Sequence, residues 1–212
     1  MEPILFAAAL AGLMAGLVHA LAGPDHLSAV APLSLEERRG AWRPGLLWGT
    51  GHSLGVYAVG ALAIGLRDVF PLERVSSWSE RMVGAVLIAV GLWGLRKAFL
   101  LRLPQVRQEE HRHGPGPDRR GWAAFGVGAL HGLAGSSHIL GLFPALALES
   151  RAESVAYVGA FGVGTILAMV VFSSTLGLLA TRVTRFGRSA YPALLGTSSA
   201  AAILVGGFWL VM

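Results

Sequence analysis

Six apolar runs separated by short polar connections set the plan of this 212-residue chain. Stretches with little or no charge fall at about 3–22 (resuming at 27–34), 44–66, 82–101, 121–148, 154–181 and 189–212. Each comes near the roughly 20 residues that a helix needs to cross a bilayer. The pattern predicts an all-α integral membrane protein with six transmembrane helices. Two of the runs are interrupted. Gly23-Pro24 breaks the first, because proline lacks an N–H and clashes with the carbonyl one turn back. Gly135, inside the His131 to His138 stretch, breaks the fourth. A polar linker at 102–120, rich in glycine, proline and charge, divides the chain into a first three-helix unit, 1–101, and a second, 121–212.

The two units carry a shared motif. Gly16-Leu-Val-His19-Ala-Leu-Ala-Gly-Pro-Asp-His26-Leu27 aligns without gaps on Gly128-Ala-Leu-His131-Gly-Leu-Ala-Gly-Ser-Ser-His138-Ile139 at an offset of 112. A looser match, at an offset of 113, pairs Gly49-Thr-Gly51-His52 with Gly162-Val-Gly164-Thr165. An odd number of spans per unit inverts the second relative to the first, so the expected architecture is a pair of inverted repeats. Broken helices meeting near the midplane are a recurring plan of secondary transporters.

Composition agrees with this plan. Hydrophobic residues make up 54% and charged residues only 14%, against about a quarter charged in soluble domains. The apolar N-terminal stretch lacks a basic leader and runs into the first motif, so it reads as a span rather than a cleaved signal. Cysteine is absent, which removes disulfides, thiolate metal sites and thiol redox relays. The net charge of +5 carries orientation rather than nucleic-acid binding. Of the 17 Lys and Arg, 13 fall in the 1–2, 3–4 and 5–6 connections. The positive-inside rule puts that side in the cytoplasm. The expected topology in a cell (inner) membrane has both termini outside and the 3–4 linker cytoplasmic. The 29 glycines suit close helix packing in lipid, and Gly12/Gly16, Gly45/Gly49, Gly51/Gly55 and Gly128/Gly132 read as packing pairs.

The chemistry concentrates in the apolar runs. Asp25 is the one formally charged side chain between Pro3 and Leu35, and ionisable groups at membrane depth mark functional sites. A lone membrane histidine would read as a helix-locking hydrogen bond. Five of them in three spans, with two pairs in register, read as a metal site: His19, Asp25, His26 and His52, with His131 and His138 as further ligands or exit lining. Imidazole and carboxylate without thiolate suit nickel, cobalt, copper(II) or zinc and poorly suit magnesium or calcium. Ser136-Ser137 stand where the first unit has Pro24-Asp25, so the first unit should carry most of the affinity. Histidine ligates when neutral, so acid should weaken binding. His111 and His113, beside Glu109 and Glu110, are candidates for secondary metal capture at the cytoplasmic face, although a solvated linker explains them as well.

These residues resemble the nickel/cobalt transporter family and its smaller relatives, the urease accessory H-type and HupE/UreJ-like membrane proteins. His19, Asp25 and His26 match the family's His–Asp–His hallmark, and Gly51-His52-Ser53 matches a second. Five residues separate His19 from Asp25, as in the HupE/UreJ group, although Ala20 stands where that group has proline. The His-Gly-Leu-Ala-Gly repeat looks most like the urease accessory H type. The resemblance implies alternating-access transport of nickel, or cobalt, as substrate, with no prosthetic group. Its partners would be the bilayer, the metal ion and urease or hydrogenase maturation proteins; a homo-oligomer is compatible with it. The rival readings are a zinc-dependent intramembrane hydrolase assisted by Ser28, Ser53 or Ser137, and a non-transporting membrane subunit of a metalloenzyme assembly system.

Overall fold

The computed structural model describes residues 3–37, 40–65, 72–102, 117–134, 144–145, 147–187 and 189–211, with side chains throughout except at 62–65, 72–77 and 117–120. Gly135, His138, His111 and His113 lie outside the described residues, as does Ser137. Among the described residues the chain forms seven α-helices of 14 residues or more and no strand. They are α1 (Pro3–Ala22), α2 (Pro24–Glu37), α3 (Trp42–Gly65), α4 (Leu72–Leu100), α5 (Pro117–Leu133), α6 (Arg151–Val183) and α7 (Ala190–Val211).

Four of them are long and apolar enough to cross a membrane: α1, the 78–100 part of α4, α6 with the 3-10 turn that follows it, and α7. α3 is of similar length, but Gly49-Thr-Gly-His-Ser53 lowers its apolar content. Side-chain size along α1 shows what surrounds the bundle. Ala8, Gly12, Gly16 and Ala20 face inward, while Phe6, Leu10, Met14, Val18 and Leu21 are about half exposed. Small residues inside and large apolar ones outside reverse the soluble pattern and fit a helix with lipid at its back. The chain is a multi-pass membrane protein.

Close backbone approaches fix the helix directions. A Cβ on Gly12 would meet Tyr157 and one on Gly16 would meet Phe161, so α1 and α6 run parallel. Gly128 abuts Trp48 and Gly132 abuts His52, so α3 and α5 also run parallel. Gly84 meets Gly206 and Gly91 meets Ser199, which makes α4 and α7 antiparallel. Gly45 lies against Met169 whereas Gly162 lies against Tyr57, so α3 runs against α6. It follows that α1 and α5, the two helices bearing the matched histidines, run in opposite directions. The glycine pairs expected to pack helices do occupy these crossings.

The first span breaks at Gly23, and proline takes the first position of α2, where its missing N–H costs no helical hydrogen bond. α2 extends beyond the expected 27–34 in both directions, from Pro24 to Glu37, and includes Pro32. It continues along α6 beyond α1, where the Ser34 hydroxyl donates to Ser173 Oγ at 2.8 Å. All of Ser28 to Leu35 is buried. The carboxylate of Glu36 would be costly at this depth; it pairs with Lys97 of α4, and their side chains are 5% and 21% exposed. Lys97 therefore turns toward a buried carboxylate rather than reaching for headgroups.

α6 starts as its sequence dictates. Ser150 caps it, accepting from the Glu153 backbone N–H at 3.2 Å, the first half of a capping box. Its 33 residues span about 50 Å. It ends through Thr184–Phe186 at Gly187, whose φ of 129° only glycine adopts freely.

Candidate metal centre

Three helices bring three imidazoles to one point at the break. His19 lies in the last turn of α1, His26 in the first turn of α2 and His52 midway along α3. One ligand nitrogen from each lies within 4.8 Å of the others. The ring centroids are 4.8 Å apart for His19–His26, 5.0 Å for His26–His52 and 5.6 Å for His19–His52. His52 is fully buried and His26 nearly so, while His19 is half-buried. A metal–nitrogen bond of about 2.1 Å puts two ligands at most about 4.2 Å apart. Side-chain movements of under about 1 Å would therefore close all three nitrogens on one ion.

The break makes this geometry possible. A Cβ on Gly23 would fall on the His26 imidazole, so the absent side chain is what lets the ring fold back over the break toward His19. Asp25 stands beside the trio rather than within it: its Oδ2 is 3.7 Å from His26 Nε2, and the residue is 8% exposed. It also occupies the first turn of α2, whose N-terminal end carries positive partial charge. There the carboxylate offsets a dipole that would otherwise repel a cation.

His131 lies one layer away. Its ring centroid is 5.9 Å from that of His26, and its Nδ1 is 3.0 Å from the Val127 carbonyl oxygen, which leaves Nε2 as its outward nitrogen. Against both His26 and His131 stands Trp48, a fully buried residue not singled out in the sequence. Its ring stacks on His52 at 4.8 Å and 9° and meets His26 at 5.2 Å and His131 at 5.4 Å. Phe161 closes the other flank against His19 at 5.3 Å. Two of the ring neighbours of Trp48 come from other helices, α2 and α5, which no local pattern records. Thr165, the counterpart of His52 in the looser repeat match, donates instead to the Gly16 carbonyl at 3.4 Å and binds α6 to α1.

Residues 7–208 match the family model described as the cytochrome C biogenesis protein transmembrane region. The chain belongs to that family. Without cysteine, this member has no thiol with which to relay electrons. It is 36% identical over 177 residues to Chloroplast protein FOR GROWTH AND FERTILITY 1 of Arabidopsis thaliana, covering 78% of this chain and 48% of that protein. It is 34% identical over 171 residues to Chloroplast protein FOR GROWTH AND FERTILITY 2 of the same plant, covering 78% and 46%. The chain thus spans about half the length of these two relatives. Urease accessory protein UreH of Bacillus sp. (strain TB-90) is 28% identical over 183 residues, covering 79% of this chain and 75% of that one. None of these names is that of an enzyme. No solved structure matches the chain.

Proposed function

We propose that this protein carries a divalent transition-metal ion, nickel ahead of cobalt, across its membrane by alternating access. His19, His26 and His52 are the ligands, and Asp25 is the fixed negative charge. The observation that carries the reading is the convergence of three imidazoles from three helices at a break inside a membrane bundle. Nitrogen ligands favour nickel, cobalt, copper and zinc over magnesium and calcium, and the similarity to a urease accessory protein favours nickel among them. A transport site must release its ion. Three neutral donors held slightly too far apart, with one carboxylate alongside, suit reversible binding better than a closed structural site.

Two inverted three-helix units would supply the movement. The opposite directions of α1 and α5 support this, as does the correspondence between the α1–α6 and α3–α5 crossings, which exchange when the units are exchanged. Rocking one unit against the other would open the site to each side in turn. In this reading the side with 13 Lys and Arg faces the cytoplasm, His138 extends the path past His131, and His111 and His113 receive the ion on the linker. Two of the candidate serines offer little to a hydrolase: Ser28 donates to the Asp25 carbonyl at 3.2 Å and Ser53 to the Gly49 carbonyl at 2.9 Å.

Titrating the purified, metal-free chain with cobalt(II) tests the site. The expected result is one ion per chain with visible ligand-field absorption that a hundredfold excess of magnesium leaves intact. Absent or non-saturating absorption, or zinc that co-purifies and resists exchange, would contradict the reading.

A further inference from the structure

We infer that a cleft at the far end of α6 is a binding site for an anionic phospholipid of the surrounding bilayer. The cleft, about 490 Å³, lies between the start of α3 and the last turns of α6, within the size range of small-molecule sites. Ser174, Gly177, Leu178, Thr181 and Arg182 of α6, with Arg185 of the 3-10 turn that follows it, form one wall, at the 3- and 4-residue spacing of one helix face. The character of that wall changes along the axis. It is small and uncharged toward the middle of the bundle, then polar at Thr181, then cationic at Arg182 and Arg185.

No carboxylate lines the cleft, and among the described residues neither arginine is in an ion pair. Trp42 of α3 faces them, 45% exposed, with the Arg43 guanidinium 5.5 Å from its ring centroid. Tryptophan beside arginine at the end of two apolar helices marks headgroup depth. A cationic mouth over an uncharged slot fits one ligand class, a phosphate headgroup with its glycerol and upper acyl chain below it. Basic pockets between membrane helices bind such headgroups. A soluble phosphate would leave the slot unfilled. From Phe161, which borders the histidine cluster, to Ser174 is about 20 Å along α6, so the cleft is separate from the metal centre and its assignment does not depend on transport.

Native mass spectrometry of the full chain, released from micelles with equal phosphatidylglycerol and phosphatidylcholine, reads the preference directly. Phosphatidylglycerol should be retained about tenfold over phosphatidylcholine, and millimolar inorganic phosphate should not displace it. Replacing both headgroup arginines, Arg182→Gln with Arg185→Gln, should weaken its retention roughly twentyfold. Leu178→Trp, which fills the slot at an exposed position and keeps both arginines, should also lower retention. Arg151→Gln, at the opposite end of α6, should change nothing. Equal retention of the two lipids by the wild-type chain would overturn the assignment. So would displacement by phosphate, or wild-type preference in both the double variant and Leu178→Trp.

Discussion

His26→Ala should lower nickel affinity by more than about a hundredfold, with His52→Ala close behind. Loss of an outer partner of a metal ligand costs 10- to 100-fold, and loss of a ligand itself should cost at least the upper end of that range. His26 is central to the cluster: its ring is within 5.0 Å of both His19 and His52, and Asp25 stands beside it. His131→Ala provides the contrast. Its ring stands against both His26 and Trp48 but outside the group of three mutually close nitrogens, and its Nδ1 is held by the Val127 carbonyl, so equilibrium affinity should stay within about threefold, since no metal–ligand bond is removed. Equilibrium dialysis on variants that elute as wild type in gel filtration separates the cases. Equal losses from His131→Ala and His26→Ala would mean that the ion sits between the two layers rather than in the first.

The largest effect on stability should come from Gly128→Leu. A Cβ at Gly128 would already fall on the Trp48 carbonyl, and that crossing joins the helix bearing His52 to the helix bearing His131. Backbone cannot move aside as a flexible side chain can, so α3 and α5 must separate. Overpacking costs about 3 kcal/mol or more when the neighbours are rigid, which in a chain of this size lowers the unfolding midpoint by about 10 °C. Gly126 lies two residues earlier and has nothing within 4 Å of its would-be Cβ. Gly126→Leu should therefore unfold within about 2 °C of wild type, consistent with an ordinary surface substitution. Thermal unfolding in detergent distinguishes the two. A small shift for Gly128→Leu would show that the α3–α5 crossing is looser than the Gly128–Trp48 approach requires.

Much of this was readable in the chain, and what was readable was local. Gly23-Pro24 announces the break because proline cannot continue a helix from within. The glycine pairs announce crossings because small residues at a four-residue spacing let backbones touch. The bounds of α6 and α7 lie close to the apolar runs at 154–181 and 189–212. α2 was harder to see. Glu36 and Glu37 fall past the apolar run at 27–34, yet the helix runs to Glu37 and pairs Glu36 with Lys97, 61 residues away. A charge neutralised from so far along the chain leaves no local signal. The same holds for Trp48, whose role comes from rings contributed by α2, α3 and α5. Asp25 was legible as the intramembrane charge. Its position beside His26 follows from its being fixed in the first turn of α2.

Nickel flux into proteoliposomes containing the purified chain, wild type beside His26→Ala, tests transport through the histidine cluster most directly. Saturable nickel entry that cobalt competes and magnesium does not, lost in a folded His26→Ala protein, is the expected result. Flux that persists in His26→Ala, or no flux from a wild-type protein that still binds nickel, would contradict it.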